Sequence, residues 1–238
     1  MNLLKSIAIL FFDILDQFIH QKRILNNLKK NNIDIKLFFD VGSHRGLYTD
    51  LIIKNFNVKK AYMFEPQINI FKYIKKKYKK NKKIKIFNNA ISNKEKMQNF
   101  FINKHDLTSS LTELNDKNIY LKIKSKLFGG DISKMILKTY KVKTIGLKNL
   151  IQKNKIKKID LLKIDTEGHE LEVLKGLENK IKIIQIILIE FHKDNIYIKY
   201  NSNNIHTYLL KNKFFLKKKI KFPFAEWEDR IYINEKIY

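Results

Sequence analysis

The chain has 238 residues, 44% of them hydrophobic and 30% charged, and carries a formal net charge of +26. That length supports one domain with a substantial core, and 7 Gly and 2 Pro leave no room for a flexible linker or a Pro-rich segment. With no cysteine, a disulfide framework, a thiolate metal site and a cysteine nucleophile are all excluded.

The charge invites a nucleic-acid or anionic-membrane reading. It is nearly all lysine, however, because the arginines are Arg23, Arg45 and Arg230 alone. Lysine, asparagine and isoleucine crowd every segment together, as AT-rich codons dictate, whereas phosphate and base recognition favours the planar arginine fork. The densest run is Lys72, Lys75, Lys76, Lys77, Lys79, Lys80, Lys82, Lys83 and Lys85. Its Tyr73 and Tyr78 could stack on bases, but the run reads more simply as the solvated face of a helix. No specific nucleic-acid partner is expected.

In chain order, Leu3, Leu4, Ile7, Phe11, Ile14, Leu15 and Phe18 recur at helical spacing. They predict an N-terminal amphipathic helical extension over residues 1–34. Lys5, Asp13 and Asp16 interrupt the stretch 3–19, which is too short and too broken to span a bilayer and lacks a signal-peptide cleavage pattern. It is expected to pack on the domain, with a partner chain or peripheral membrane contact as the alternatives. A cytoplasmic or membrane-peripheral location is expected, compatible with the absence of cysteine, and an oligomer is possible.

Residues 35–238 read as one domain. Strands are predicted at 35–41, 61–64 and 84–87, with helices at 47–55 and 67–80, the second placing Ile70, Phe71, Ile74 and Tyr78 on one side. This alternation implies a parallel sheet with helices on both faces. Residues 92–143 break the rhythm and read as an insertion, with an apolar hairpin-like patch at Phe100, Phe101 and Ile102 and a polar Thr108-Ser109-Ser110. Beyond it come a helix at 147–152, a strand at 159–164, a helix at 170–177, a nearly all-apolar strand at 183–189, a helix at 204–211 and a β-rich end around 214–216 and 230–233.

In such a sheet, ligands bind beyond the carboxyl ends of the strands at the switch point. Asp40-Val41-Gly42 closes the first strand there, and Gly42 and Gly46 allow a tight turn and a close backbone approach. Asp40 is acidic where a phosphate-binding loop would be neutral or basic. The loop therefore suits a cationic, phosphate-free ligand such as S-adenosylmethionine. Glu65, 19 positions after Gly46, ends the second strand and suits a ribose diol. Asn89-Ala90 ends the third, where an adenine would lie. A full G-x-G-x-x-G is absent, which disfavours a nicotinamide enzyme.

Asp40-Val41-Gly42 with Gly46 and Tyr48-Thr49, Phe64-Glu65-Pro66, Asn89-Ala90-Ile91-Ser92, and Lys163-Ile164-Asp165-Thr166-Glu167-Gly168-His169-Glu170 with Leu174-Lys175-Gly176 resemble the FkbM family of methyltransferases over roughly residues 36–193. The resemblance implies an α/β fold of the class I methyltransferase type: Rossmann-like, doubly wound, with a mostly parallel seven-stranded sheet and helices on both faces. It also implies an S-adenosylmethionine-dependent O-methyltransferase acting on a sugar, glycan precursor or related natural product, as in polysaccharide biosynthesis. Carried over residue by residue, cofactor contacts fall on Asp40, Gly42, Ser43, Gly46, Tyr48, Glu65, Pro66, Asn89, Ala90 and Asp165. Ser43-His44 departs from the Ala-Asn common in the family, which leaves the contacts of His44 open.

Methyl transfer to a hydroxyl needs in-line approach and a route for the proton. Asp165, Glu167, His169 and His192 are the candidate catalytic residues, with Glu167, His169 or His192 as the base. Capping of the following helix is the alternative role for Glu167 and Glu170, and a hydrogen-bonded helix-start role for His169. Thr108-Ser109-Ser110 is read either as a wall of the acceptor site or as a polar surface loop. A metal reading would use Asp165, Glu167 and Glu190 as oxygen ligands for Mg²⁺; no metal is expected. An RNA methyltransferase, suggested by the charge, and an inactive cofactor-binding accessory protein are the competing functions. The lack of an Asn-Pro-Pro-Tyr type motif counts against the first.

Overall fold

The computed structural model describes residues 19–30, 34–103, 108–119, 121–123, 136–223 and 226–237. Most of the N-terminal amphipathic stretch therefore lies outside the described residues. Helix α1 (Gln21–Lys30) follows it and buries Ile24 and Leu28. Then β1 (Leu37–Val41), α2 (Leu47–Asn55), β2 (Lys60–Phe64), α3 (Ile68–Lys77) and β3 (Ile84–Phe87) form the first βαβαβ half. The second half holds α4 (Leu147–Lys153), β7 (Ile159–Ile164), α5 (Glu170–Lys175), β8 (Ile184–His192), α6 (Ser202–Lys211), β9 (Phe214–Lys221) and β10 (Trp227–Asn234).

The main sheet has seven strands in the order β3-β2-β1-β7-β8-β10-β9. All neighbours are parallel except β10, which runs antiparallel between β8 and β9. The chain winds outward from β1 in one direction and from β7 in the other, so the switch point lies between these strands, where Val41 pairs with Ile164. Every residue of β8 is buried, as befits an inner strand covered on both faces.

Side-chain alternation sorts the core into two layers. Phe39, Val41, Leu162, Ile164, Ile187 and Ile189 pack with Leu150 of α4, Val173 of α5 and Leu209 of α6. Phe38, Leu161, Ile186, Leu188 and Ile231 pack on the opposite face with Ile24 of α1 and Ile52 of α2. The second set belongs to the same face as Asp40, Lys163 and Glu190, which stand two residues after Phe38, Leu161 and Leu188, and as Asp229, which stands two residues before Ile231.

Between the halves, β4 (Ala90–Ile91), β5 (Met97–Asn103) and β6 (Ile136–Ile145) build a second sheet in the order β4-β6-β5. The Phe100 patch finds its partner in β6, opposite Tyr140. The helix predicted at 67–80 stops at Lys77, because Tyr78 turns its hydroxyl to within 2.9 Å of Gly46 O and 2.7 Å of Asp50 Oδ1. Among the described residues, no helix is long and apolar enough to cross a membrane.

Candidate active site

The loop after β1 is shaped by close backbone contacts. Gly42 N and Ser43 N each donate to Phe64 O at 3.1 Å, and Asp165 N donates to Val41 O at 3.1 Å. Gly42 has φ 78°, and a Cβ there would lie 1.7 Å from Asp165 O, so only glycine lets the loop pass the exit of β7. Gly46 (φ 77°) is packed just as tightly, 2.4 Å from the Tyr78 hydroxyl in the same sense. Both glycines named by the sequence are thus required by the turn itself.

Glu65, at the carboxyl end of β2, is buried. Its Oε2 accepts from His44 N at 2.9 Å and its Oε1 from Gln67 N at 2.7 Å. His44, at φ 42°, thereby gives its backbone to Glu65. Asn88 Nδ2 donates to Glu65 O (2.9 Å) and Pro66 O (3.1 Å), fixing the exit of β2 against that of β3. Asn89 is at the surface and donates to Lys143 O at 3.3 Å, while Ala90 is buried opposite Thr144.

Asp40 is fully buried behind the loop. Its Oδ2 accepts from Thr49 Oγ1 at 2.6 Å and its Oδ1 lies 3.7 Å from Lys163 Nζ. Lys163 also reaches Asp165 Oδ2 at 3.0 Å and lies over the Tyr48 ring at 4.4 Å. The Tyr48 hydroxyl donates to Asp229 Oδ2 at 3.2 Å, and His20 Nε2 lies 2.8 Å from the same oxygen. A polar row therefore crosses the sheet interior through Asp40, Lys163 and Asp229, and His20, the residue just before α1, is one end of it. Burial alone would discharge Lys163, but Asp165 and Asp40 outweigh it and hold its pKa above the ordinary value. Burial likewise works against ionised Asp165, and Lys163 overcomes it, so Asp165 stays below the usual range. For Asp40 burial prevails over Lys163 and raises the pKa. The predicted cofactor residues Asp40 and Tyr48 thus direct their polar groups to Thr49, Lys163 and Asp229, whereas the Asp165 side chain keeps 28% exposure.

Beyond β7 and β8 a second group gathers. Glu167 adopts φ 55° and Gly168 φ 92°; a Cβ on Gly168 would lie 2.4 Å from the Tyr197 ring. The Tyr197 hydroxyl donates to the Glu167 carboxylate. His192 Nε2 lies 3.1 Å from Glu190 Oε2 and 3.7 Å from Glu167 Oε2. Burial and neighbouring Glu190 push Glu167 up to about 8, and burial with Asp165 pushes Glu190 well above the ordinary carboxyl range. The structure thus brings Asp165, Glu167, Glu190 and His192 together.

His169 is apart from them. Its Nε2 lies 3.0 Å from Ser92 Oγ and its Nδ1 3.3 Å from Thr112 Oγ1. Thr112 Oγ1 donates its proton to Gly168 O at 3.1 Å, so it accepts from Nδ1–H and leaves Nε2 to accept from Ser92. Burial lowers the pKa of His169 to about 4. The imidazole is a neutral cross-link between the insertion and α5. Glu170 serves the turn in the same way: its Oε1 accepts from Thr166 N (3.0 Å), Thr166 Oγ1 (3.1 Å) and Gly168 N (3.1 Å). Ser110 Oγ donates to Thr166 O at 2.9 Å, so part of the polar insertion segment braces this turn.

Sequence reasoning assigned no role to Lys163, Tyr197, Asp229 or His20. Asp229 carried a signal, since it stands in phase with the apolar Ile231 and Ile233 of β10; an acid on a buried stripe demands a partner. Tyr197 lies in a connecting segment without periodicity and carried none.

The family described as the methyltransferase FkbM domain matches residues 40–216. Among solved structures, the methyltransferase FkbM from Methylobacillus flagellatus is similar, with a TM-score of 0.53 and 13% identity over 83% of this chain and 43% of that one. This chain therefore spans less than half the length of that protein. An S-adenosylmethionine-dependent methyltransferase from Clostridium acetobutylicum gives a TM-score of 0.51 and 10% identity over 98% of this chain and 99% of that one. No curated protein matches. Such low identities speak for the fold, which is that of class I methyltransferases; the family match covers most of the sequence, from Asp40 at the end of β1 into β9. The chain belongs to the FkbM methyltransferase family.

Proposed function

We propose that the protein is an S-adenosylmethionine-dependent O-methyltransferase whose acceptor is a hydroxyl of a sugar, glycan precursor or related natural product, handled in the cytoplasm. The observation that carries this reading is the convergence of Asp165, Glu167, Glu190 and His192 beyond β7 and β8, beside the Gly42–Gly46 loop. Carboxylates and an imidazole are suited to receive a hydroxyl proton and to orient an alcohol.

The residues fit the cofactor by chemistry. S-adenosylmethionine supplies a methyl group on a sulfonium to the acceptor oxygen. Asp165, kept ionised by Lys163 and partly exposed, complements a cationic ligand. Glu65 fixes the loop by accepting backbone N–H groups, and its carboxylate has four acceptor positions with which to meet a ribose diol as well. Titration calorimetry with S-adenosylmethionine tests the assignment: Glu65→Ala and Asp165→Asn each weaken binding at least about tenfold, or ~1.4 kcal/mol. Unchanged binding in both variants would overturn it. A turnover screen against nucleotide sugars and glycans, read as S-adenosylhomocysteine release, tests the acceptor class.

The charge of +26 favours a second reading, an RNA acceptor. It requires RNA binding whose affinity falls steeply with salt; a shallow dependence removes it.

A further inference from the structure

We propose that Glu167, Glu190 and His192 bind one divalent first-row transition-metal cation. Glu167 comes from the turn after β7, and Glu190 and His192 from alternate positions at the carboxyl end of β8. One ligand atom of each lies within 4.8 Å of the others, with His192 Nε2 at 3.1 Å from Glu190 Oε2 and 3.7 Å from Glu167 Oε2. Donors held ~2.1 Å from one ion stand roughly 3 to 4 Å apart, so these spacings fit a shared cation.

A separate observation points to a missing ligand. Glu190 Oε2 and His192 Nε2 are buried atoms that no hydrogen bond reaches, although they face each other. Both residues are only 8% exposed. A native interior rarely leaves two facing polar atoms unsatisfied, and a cation between them satisfies both. Among the described residues no lysine or arginine forms an ion pair with Glu167 or Glu190; the nearby Lys163 is spent on Asp40 and Asp165. Tyr197 donates to Glu167 as an outer-shell group would, fixing the orientation of a ligating carboxylate.

Two carboxylates and an imidazole make a mixed oxygen and nitrogen set. It suits Mn²⁺, Fe²⁺, Co²⁺ or Zn²⁺ better than Mg²⁺, which prefers oxygen alone and retains its waters. Three protein donors leave coordination positions open. In the methyltransferase reading, on which this role rests, the open position takes the acceptor hydroxyl and makes it more acidic. Binding of the cation does not depend on that reading.

The test uses the full chain, stripped with chelator and titrated with Mn²⁺ in the absence of cofactor and acceptor. Loss of the free-Mn²⁺ paramagnetic resonance signal reports binding, and S-adenosylmethionine binding is measured alongside. One Mn²⁺ per chain is expected, with at least about a tenfold loss of affinity in Glu190→Gln and His192→Asn. Thermal unfolding provides a check on folding: Mn²⁺ raises the midpoint of the wild type, while Glu190→Gln folds and loses that rise. Absence of stoichiometric Mn²⁺ binding, or full affinity retained in both variants, would overturn the site. Mn²⁺ binding without cofactor binding would leave the site standing and remove the methyltransferase role; cofactor binding without Mn²⁺ would do the reverse.

Discussion

Lys163 Nζ lies 3.0 Å from Asp165 Oδ2 in the interior of the sheet, with Asp40 Oδ1 at 3.7 Å on its other side. The lysine side chain is 3% exposed, and it holds two acids that the pairing of β1 with β7 brings close. Removing one member of a buried ionic group leaves the others uncompensated. Lys163→Met is expected to lose about 3–5 kcal/mol of stability, seen as a lower urea midpoint at unchanged slope. Adding Asp40→Asn to that variant recovers part of the loss, because one buried charge then remains instead of two. A loss under about 1 kcal/mol would place Lys163 among weakly coupled surface pairs and contradict the burial.

His169 gives a pH dependence with a definite sign. Its folded pKa is lowered from 6.5 to about 4 by burial. As pH falls through that interval the unfolded chain takes up a proton before the folded protein does. Stability is therefore full above 6.5 and declines towards 4, with a slope approaching ~1.4 kcal/mol per pH unit from this residue. His169→Gln removes that component of the slope in urea titrations at a series of pH values. NMR titration should show the imidazole neutral at pH 6. A wild-type His169 that titrates near 6.5 would mean that Ser92 and Thr112 do not enclose it.

Helix α1 is part of the core. Ile24 is fully buried with Phe38, Ile52 and Leu188. Ile24→Ala is expected to cost about 2–4 kcal/mol, the range for a large buried aliphatic truncated in a packed interior, measured by urea unfolding. A surface extension would lose less than about 0.5 kcal/mol.

The alternation of elements was legible because each strand of the parallel half is a short apolar run and each helix carries a 3.6-residue stripe. The strands at 84–87 and 159–164 and the helix at 47–55 have the predicted limits. Where the sequence fell short, contacts distant along the chain decided the outcome. Tyr78 continues the helical stripe but leaves α3 because Gly46 and Asp50 offer its hydroxyl partners. The residues at 136–145 mix apolar and polar side chains without a regular period, yet pair with β5 on one side and β4 on the other. In the site, the residue types near the strand ends were readable, but their grouping was not. His169 and His192 look alike in sequence; one is enclosed by Ser92 and Thr112, and the other faces Glu190. Glu65 lies at the expected strand end, and its bonds to His44 N and Gln67 N depend on a loop conformation that spacing does not encode.

The place of β10 has a consequence for how the chain is made. This strand follows β9 in sequence but sits between β9 and β8. During synthesis the apolar edge of β8 is finished some 35 residues before Trp227–Asn234 emerge to cover it. A ribosome pausing in that interval, or a chain cut short before residue 227, presents an open strand edge on which another nascent copy can pair. The late strand that carries Asp229 into the polar row thus also closes the surface most prone to aggregation, so variants that weaken β10 should surface first as insoluble protein in expression, ahead of any loss in the purified protein.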